Sequence, residues 1–190
     1  MKPREYRLKN GEVLVIREAE IEDARDLIEY AEATSGESDN LTFGSGEFDI
    51  SLSQEEEIIR NSRGADNILY IIGVVQNRIA AFLMFIGGKR PRLRHRGEFG
   101  ISVRKAYWNL GIGSHMLDTM IEWAKNSSVV TKINLRVRCD NELAIGLYER
   151  KGFVKEGKIR RDMRIGKDYV DCYYMGLEIQ DTTDLVRAGG

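Results

Sequence analysis

Residues 96–114 read Arg-Gly-Glu-Phe-Gly-Ile-Ser-Val-Arg-Lys-Ala-Tyr-Trp-Asn-Leu-Gly-Ile-Gly-Ser. β-Branched Ile101 and Val103 predict a strand over residues 98–103, and the stretch ends in the turn Gly111-Ile112-Gly113-Ser114. Met116, Leu117, Met120, Ile121, Trp123 and Ala124 follow at helical spacing and predict a helix over residues 113–125. The first amides of a helix have no intrahelical partner, and the helix dipole adds partial positive charge there. A strand, a glycine turn and a helix start therefore make an anion site, suited to a phosphate-bearing cofactor. Two common phosphate loops fail on named residues. A dinucleotide fingerprint needs glycine or alanine where Met116 stands, and a nucleotide P-loop needs Gly-Lys-Ser/Thr where Gly113-Ser114-His115 stands without the lysine.

Other segments must position this turn. Asn10-Gly11 predicts a type I′ hairpin leading into a strand at residues 13–16. Ile21, Ala24, Leu27, Ile28 and Ala31 predict a helix over residues 21–33, and the pattern Ser53-Gln54-Glu55-Glu56 predicts a capping box opening a second. Between them, residues 34–50 form a long acidic loop whose Glu37, Asp39, Glu47 and Asp49 are either solvated or line the approach of a cationic substrate. Apolar runs at 67–75 and 79–86 predict an antiparallel hairpin, followed by a basic loop at residues 87–96. A strand at 132–138, an Asp140- or Asn141-capped helix at 142–150 closed by Gly152, and a hairpin of 153–165 with 169–177 complete the order. The expected fold is one α/β (α+β) domain over residues 1–180, with a mixed, mostly antiparallel sheet flanked by helices. Residues 181–190 read as a polar tail.

Composition narrows the function classes. The chain has 190 residues, 42% hydrophobic and 31% charged, as in ordinary soluble domains. A net charge of -1 gives no electrostatic case for nucleic acid or a membrane surface. Two cysteines, Cys139 and Cys172, make no disulfide framework, and with two histidines no metal-ligand spacing arises. The charged N-terminus lacks a signal-peptide core, no apolar run reaches membrane-spanning length, and the expected location is the cytoplasm.

Two segments together resemble the GNAT superfamily of N-acetyltransferases. Trp108-Asn109-Leu110-Gly111-Ile112-Gly113 is similar to the family's pyrophosphate loop, Arg/Gln-x-x-Gly-x-Gly/Ala. Asn141, Ala144 and the run Leu147-Tyr148-Glu149-Arg150-Lys151-Gly152-Phe153 are similar to its later signature. The first motif position departs, with Trp108 where the family usually has arginine or glutamine, and both a packing and a cofactor role stay open for it.

The resemblance implies transfer of an acetyl group from acetyl-CoA to a primary amine. Asn109, Gly111, Ile112, Gly113 and Ser114 would hold the pyrophosphate by backbone amides, while Ile101, Val103 and Asn141 would contact the pantetheine arm. An N–H near Ile101 or Ser102 would polarise the thioester. Tyr148 would protonate the departing thiolate, and Glu98, directly or through water, would serve as base. Their structural alternatives are a packed helix aromatic for Tyr148 and an ion pair with Arg96 or Arg104 for Glu98. His95 is the weaker base candidate. The acceptor is a small-molecule amine or a peptide N-terminus, the cationic small molecule being favoured. Tyr169, Tyr173 and Tyr174 read as sheet core or a homodimer surface, ahead of substrate contact. The competing reading is an acetyl-CoA sensor that binds without catalysis.

Overall fold

A computed structural model describes residues 1–179, and the polar tail of 181–190 lies outside that range. The eight strands are β1 (Arg4–Arg7), β2 (Val13–Glu18), β3 (Ile68–Val75), β4 (Arg78–Gly87), β5 (Arg96–Val103), β6 (Lys132–Arg138), β7 (Val154–Ile165) and β8 (Asp168–Glu178). They form one sheet in the order β1-β2-β3-β4-β5-β6-β8-β7. Every pairing is antiparallel except β5 with β6. A parallel pair needs a long crossover, and here α3 (Ile112–Lys125) supplies it. The predicted mixed, mostly antiparallel sheet is the one observed.

The four helices divide between the two faces. α3 and α4 (Glu142–Arg150) cover one, burying Met116, Leu117, Met120 and Tyr148 with Leu83, Phe85, Phe99 and Leu135 of the strands. α1 (Ala24–Ser35) and α2 (Leu52–Ser62) cover the other through a smaller cluster of Leu27, Ile59, Tyr70 and Ile72. Strand alternation sends odd residues of β5 to the larger core and even ones to the α1/α2 face.

Local details differ from the sequence expectation in two places. The first hairpin turns through residues 8–12 with Gly11 alone at positive φ (+87°), so Asn10-Gly11 is not a type I′ turn. That geometry appears instead at Gln76-Asn77, where both residues take positive φ (48° and 60°) between β3 and β4. The capping box of α2 is Ser51 with Gln54, two residues before the predicted one. Glu55 is drawn inward toward Tyr70, and Ser51 has the extended backbone an N-cap needs. Cys172 is buried, Cys139 half-buried, and both are free thiols.

Candidate active site

β5 and β6 run together for only three residue pairs, Arg96 with Lys132, Gly97 with Ile133 and Glu98 with Asn134, and then part. Beyond Glu98, β5 continues along β4 as far as Val103, while β6 continues along β8 as far as Arg138. The direction of each free backbone group follows from two bonds. Gly88 N donates to Arg96 O (3.0 Å), and Arg104 N donates to Ala80 O (2.9 Å), so even residues of β5 face β4. Ile101 and Val103, beyond the last pair of the parallel ladder, consequently turn their N–H groups into the opening. The same alternation directs the Ser102 N–H to β4, which leaves Ile101 as the thioester-polarising candidate of the two.

The opening leads to the glycine turn. Trp108 is half-exposed, and its indole Nε1 donates to Val103 O at 2.7 Å, which ties the turn to the end of β5. A core-packing role is therefore not the one observed. Asn109 (φ 62°) and Gly111 (φ 93°) then take the left-handed conformation and bend the chain into α3. Gly111 occupies the N-cap, where most helices carry a hydroxyl or carboxamide that accepts from the first amides. With no such side chain, the N–H groups of Ile112, Gly113 and Ser114 have no partner among the described residues. Gly113 faces Leu147 of α4, whose Cδ2 lies 3.5 Å from where a Cβ would stand.

Tyr148 lies on the α3/α4 side of the opening. Its ring meets Phe99 edge-on (5.8 Å, 79°) and Phe153 (6.0 Å, 64°), and burial pushes its hydroxyl up to about 12. The hydroxyl has no hydrogen-bond partner among the described residues, so it is a protonated donor not yet committed. Asn141 caps α4, its Oδ1 accepting from Ala144 N at 3.2 Å, and it lines a 410 Å³ cavity with Arg138, Asp140 and Asp39. Glu98 points to the opposite, α1/α2 face. Its partner is Arg136 of β6 (Nε to Oε1, 2.8 Å), not Arg96 or Arg104. Strand pairing explains this: Arg136 stands two residues beyond Asn134, the residue directly opposite Glu98, on the same face.

A sequence profile of the Acetyltransferase (GNAT) family matches residues 27–153. The chain belongs to the GNAT acetyltransferase family. The L-amino acid N-acetyltransferase AaaT of Escherichia coli (strain K12) is 33% identical over 108 residues, which span 57% of this chain and 67% of the relative. The acetyltransferase of GNAT family from Streptococcus pneumoniae superposes with a TM-score of 0.85 at 32% identity, covering 88% of this chain and 99% of that one. The yncA protein of Salmonella typhimurium, solved with its cofactor acetyl-CoA, shares the fold at 14% identity, with a TM-score of 0.77 over 88% and 95% of the two chains. The protein is thus a GNAT acyltransferase, and no helix of its described residues is long and apolar enough to cross a membrane.

The remaining candidates in this acetyltransferase separate clearly. His95 is exposed, and its carbonyl accepts from Thr131 and Lys132 at the start of β6, so it stands at the far end of β5 from the cradle. His115 stacks on Tyr6 (4.2 Å, 24°) and docks β1 on α3. In the acidic loop, Glu37 is committed, accepting from Arg104 Nε at 2.8 Å and Lys105 N at 2.6 Å, and Glu47 accepts from Gly44 N. Asp39 keeps its place beside the Asn141 cavity. Exposed Tyr169 lies under the Arg161 guanidinium and Tyr173 packs on the core, whereas Tyr174 lines a cavity with Glu98. Sequence reasoning missed Asn134, Arg136 and the Tyr30–Ser102 hydroxyl contact (3.0 Å) on the α1/α2 face. The one available signal was polar Asn134 and Arg136 alternating with Ile133, Leu135 and Val137.

Proposed function

We propose that this acetyltransferase moves an acetyl group from acetyl-CoA directly to a primary amine within a ternary complex. The observation that carries the reading is the parting of β5 from β6 after Glu98 and Asn134, with unpaired amides along its edge and a glycine-capped helix at its end. Bound acetyl-CoA would supply an acetyl thioester activated for attack by an amine. The amides of Ile112 to Ser114, at the positive end of α3 and approached closely past Gly111 and Gly113, would hold the pyrophosphate with Asn109. Ile101 and Val103 would offer N–H groups to the pantetheine and the thioester carbonyl, with Asn141 at the wide end.

The two proton-handling groups lie on opposite sides of the sheet. An amine is mostly protonated at neutral pH and must lose a proton before attack. Glu98 accepts that proton on the α1/α2 face, while Arg136 holds its carboxylate in place. Tyr148 donates a proton to the departing sulfur from the α3/α4 face and is restored from solvent. The name of the Escherichia coli relative supports a small-molecule acceptor, an amino acid, over a peptide N-terminus.

The test is release of free CoA thiol when the protein and acetyl-CoA meet amino acids, polyamines, aminoglycosides or peptide N-termini. The expected result is thiol release matched by N-acetylated product. Tight CoA binding without turnover on any of these would instead establish the sensor.

A further inference from the structure

On the α1/α2 face, where β5 and β6 begin to part, lies a cavity of about 170 Å³. Its wall includes Ile86, Leu93, Arg96, Glu98, Asn134 and Tyr174. Three of its polar groups have unused bonding capacity. Asn134 is 1% exposed; its Nδ2 donates to Gly97 O at 3.2 Å, and its Oδ1 is buried without a partner. Reversing the amide would set two acceptor oxygens against each other, so Oδ1 is the orphan in the favourable orientation. A buried acceptor left unbonded is costly, and natural proteins keep few of them. Glu98 engages Arg136 through Oε1, and Oε2 has no hydrogen bond among the described residues. Arg96, exposed at the cavity edge, has no ion pair among the described residues.

These groups have complementary signs. Asn134 Oδ1 and Glu98 Oε2 accept hydrogen bonds, whereas the Arg96 guanidinium only donates and favours carboxylates in a two-pronged geometry. Arg96 and Glu98 are two residues apart on one strand and share a face, which separates their Cα atoms by about 7 Å. That interval accommodates a ligand with cationic and anionic groups on one carbon. Ile86, Leu93 and Tyr174 supply an apolar wall for its side chain. The volume is similar to the ~150 Å³ that admits a benzene-sized guest, so the side chain is of modest size.

We propose that this cavity is an α-amino acid site, in which Asn134 Oδ1 and Glu98 receive the amine, Arg96 binds the α-carboxylate and the apolar wall takes an uncharged side chain. The proposal rests on the acetyl-transfer reading for its purpose and deepens it by giving the amino acid acceptor a place on the protein. It also assigns binding roles to Asn134 and Arg96.

Calorimetric titration of the full-length protein, saturated with CoA so that no transfer occurs, tests the site. The probes are L-leucine, L-methionine and L-phenylalanine, each beside its decarboxylated amine. At least one amino acid should bind, and Arg96→Met should weaken it by about tenfold or more while changing its decarboxylated partner by less than about twofold. Asn134→Leu should weaken amino acid and amine alike, by about tenfold. Exposed Arg96 keeps the test valid should the Asn134 variant not fold. Absence of binding by all three amino acids, or equal loss for acid and amine in Arg96→Met, would overturn the site. Amino acids that bind but release no thiol from acetyl-CoA would uphold the site and remove the transfer reading.

Discussion

The indole Nε1 of Trp108 donates to the carbonyl of Val103 at 2.7 Å, joining the last residue of β5 to the residue before the left-handed Asn109. The bond fixes the short segment between the unpaired strand edge and the helix that begins at Ile112. Trp108→Phe keeps a ring and removes the donor. One net hydrogen bond is about 1 kcal/mol, so CoA affinity should fall about fivefold. Wild-type affinity in titration would show that the turn holds its shape without this bond.

Gly111 combines a φ of 93° with the N-cap position of α3. A methyl there would stand 4.0 Å from His115 Nε2, so space is available and only the backbone resists. Gly111→Ala should lower unfolding free energy by roughly 1 kcal/mol, the usual left-handed penalty, and weaken CoA binding. Unchanged denaturation midpoints would mean that the turn relaxes to an ordinary conformation.

Glu55 gives a pH dependence unrelated to catalysis. It is 1% exposed, takes a hydrogen bond from the Tyr70 hydroxyl, and leaves Oε2 buried without a partner. Burial raises its pKa above the usual 4.5, outweighing that bond. A raised folded-state pKa means that the folded form binds this proton more tightly than the unfolded chain. The stabilisation is complete below pH 4.5 and is lost as pH rises through the raised value. Urea midpoints measured against pH should therefore decline less steeply above pH 4.5 in Glu55→Gln than in wild type. Parallel profiles would show that Glu55 ionises without cost.

The Tyr148 hydroxyl has no hydrogen-bond partner among the described residues, and burial raises it to about 12. Tyr148→Phe should reduce kcat about 100-fold, the lower end of general-acid effects. The ring contacts with Phe99 and Phe153 survive, so CoA affinity should be unchanged. Undiminished turnover would remove Tyr148 from the proton path.

Much of this layout is legible from residue order. The alternation at Ile133, Leu135 and Val137 locates β6, the Gly-x-Gly turn locates the start of α3, and Asn141 caps α4 as its type suggests. What sequence does not reveal is lateral pairing. Glu98 has Arg96 and Arg104 nearby in the chain, yet pairs with Arg136, 38 residues away, because β5 and β6 are neighbours. Asn134 reads as an outward-facing polar residue until the sheet closes over it. Glu37 reads as solvated until the loop folds back on Arg104. Ser51 and Ser53 are equivalent caps in composition, and the inward turn of Glu55 toward Tyr70 distinguishes them.

The central claim is that Glu98 removes the amine proton at the parting of β5 and β6. Its most direct test is kcat/KM for the acceptor in Glu98→Gln, measured by thiol release beside CoA affinity. Glutamine keeps the shape and an oxygen for Arg136 but cannot act as the base. A fall of about 100-fold or more, with CoA affinity unchanged, is the predicted result. Wild-type kcat/KM in this variant would contradict the assignment.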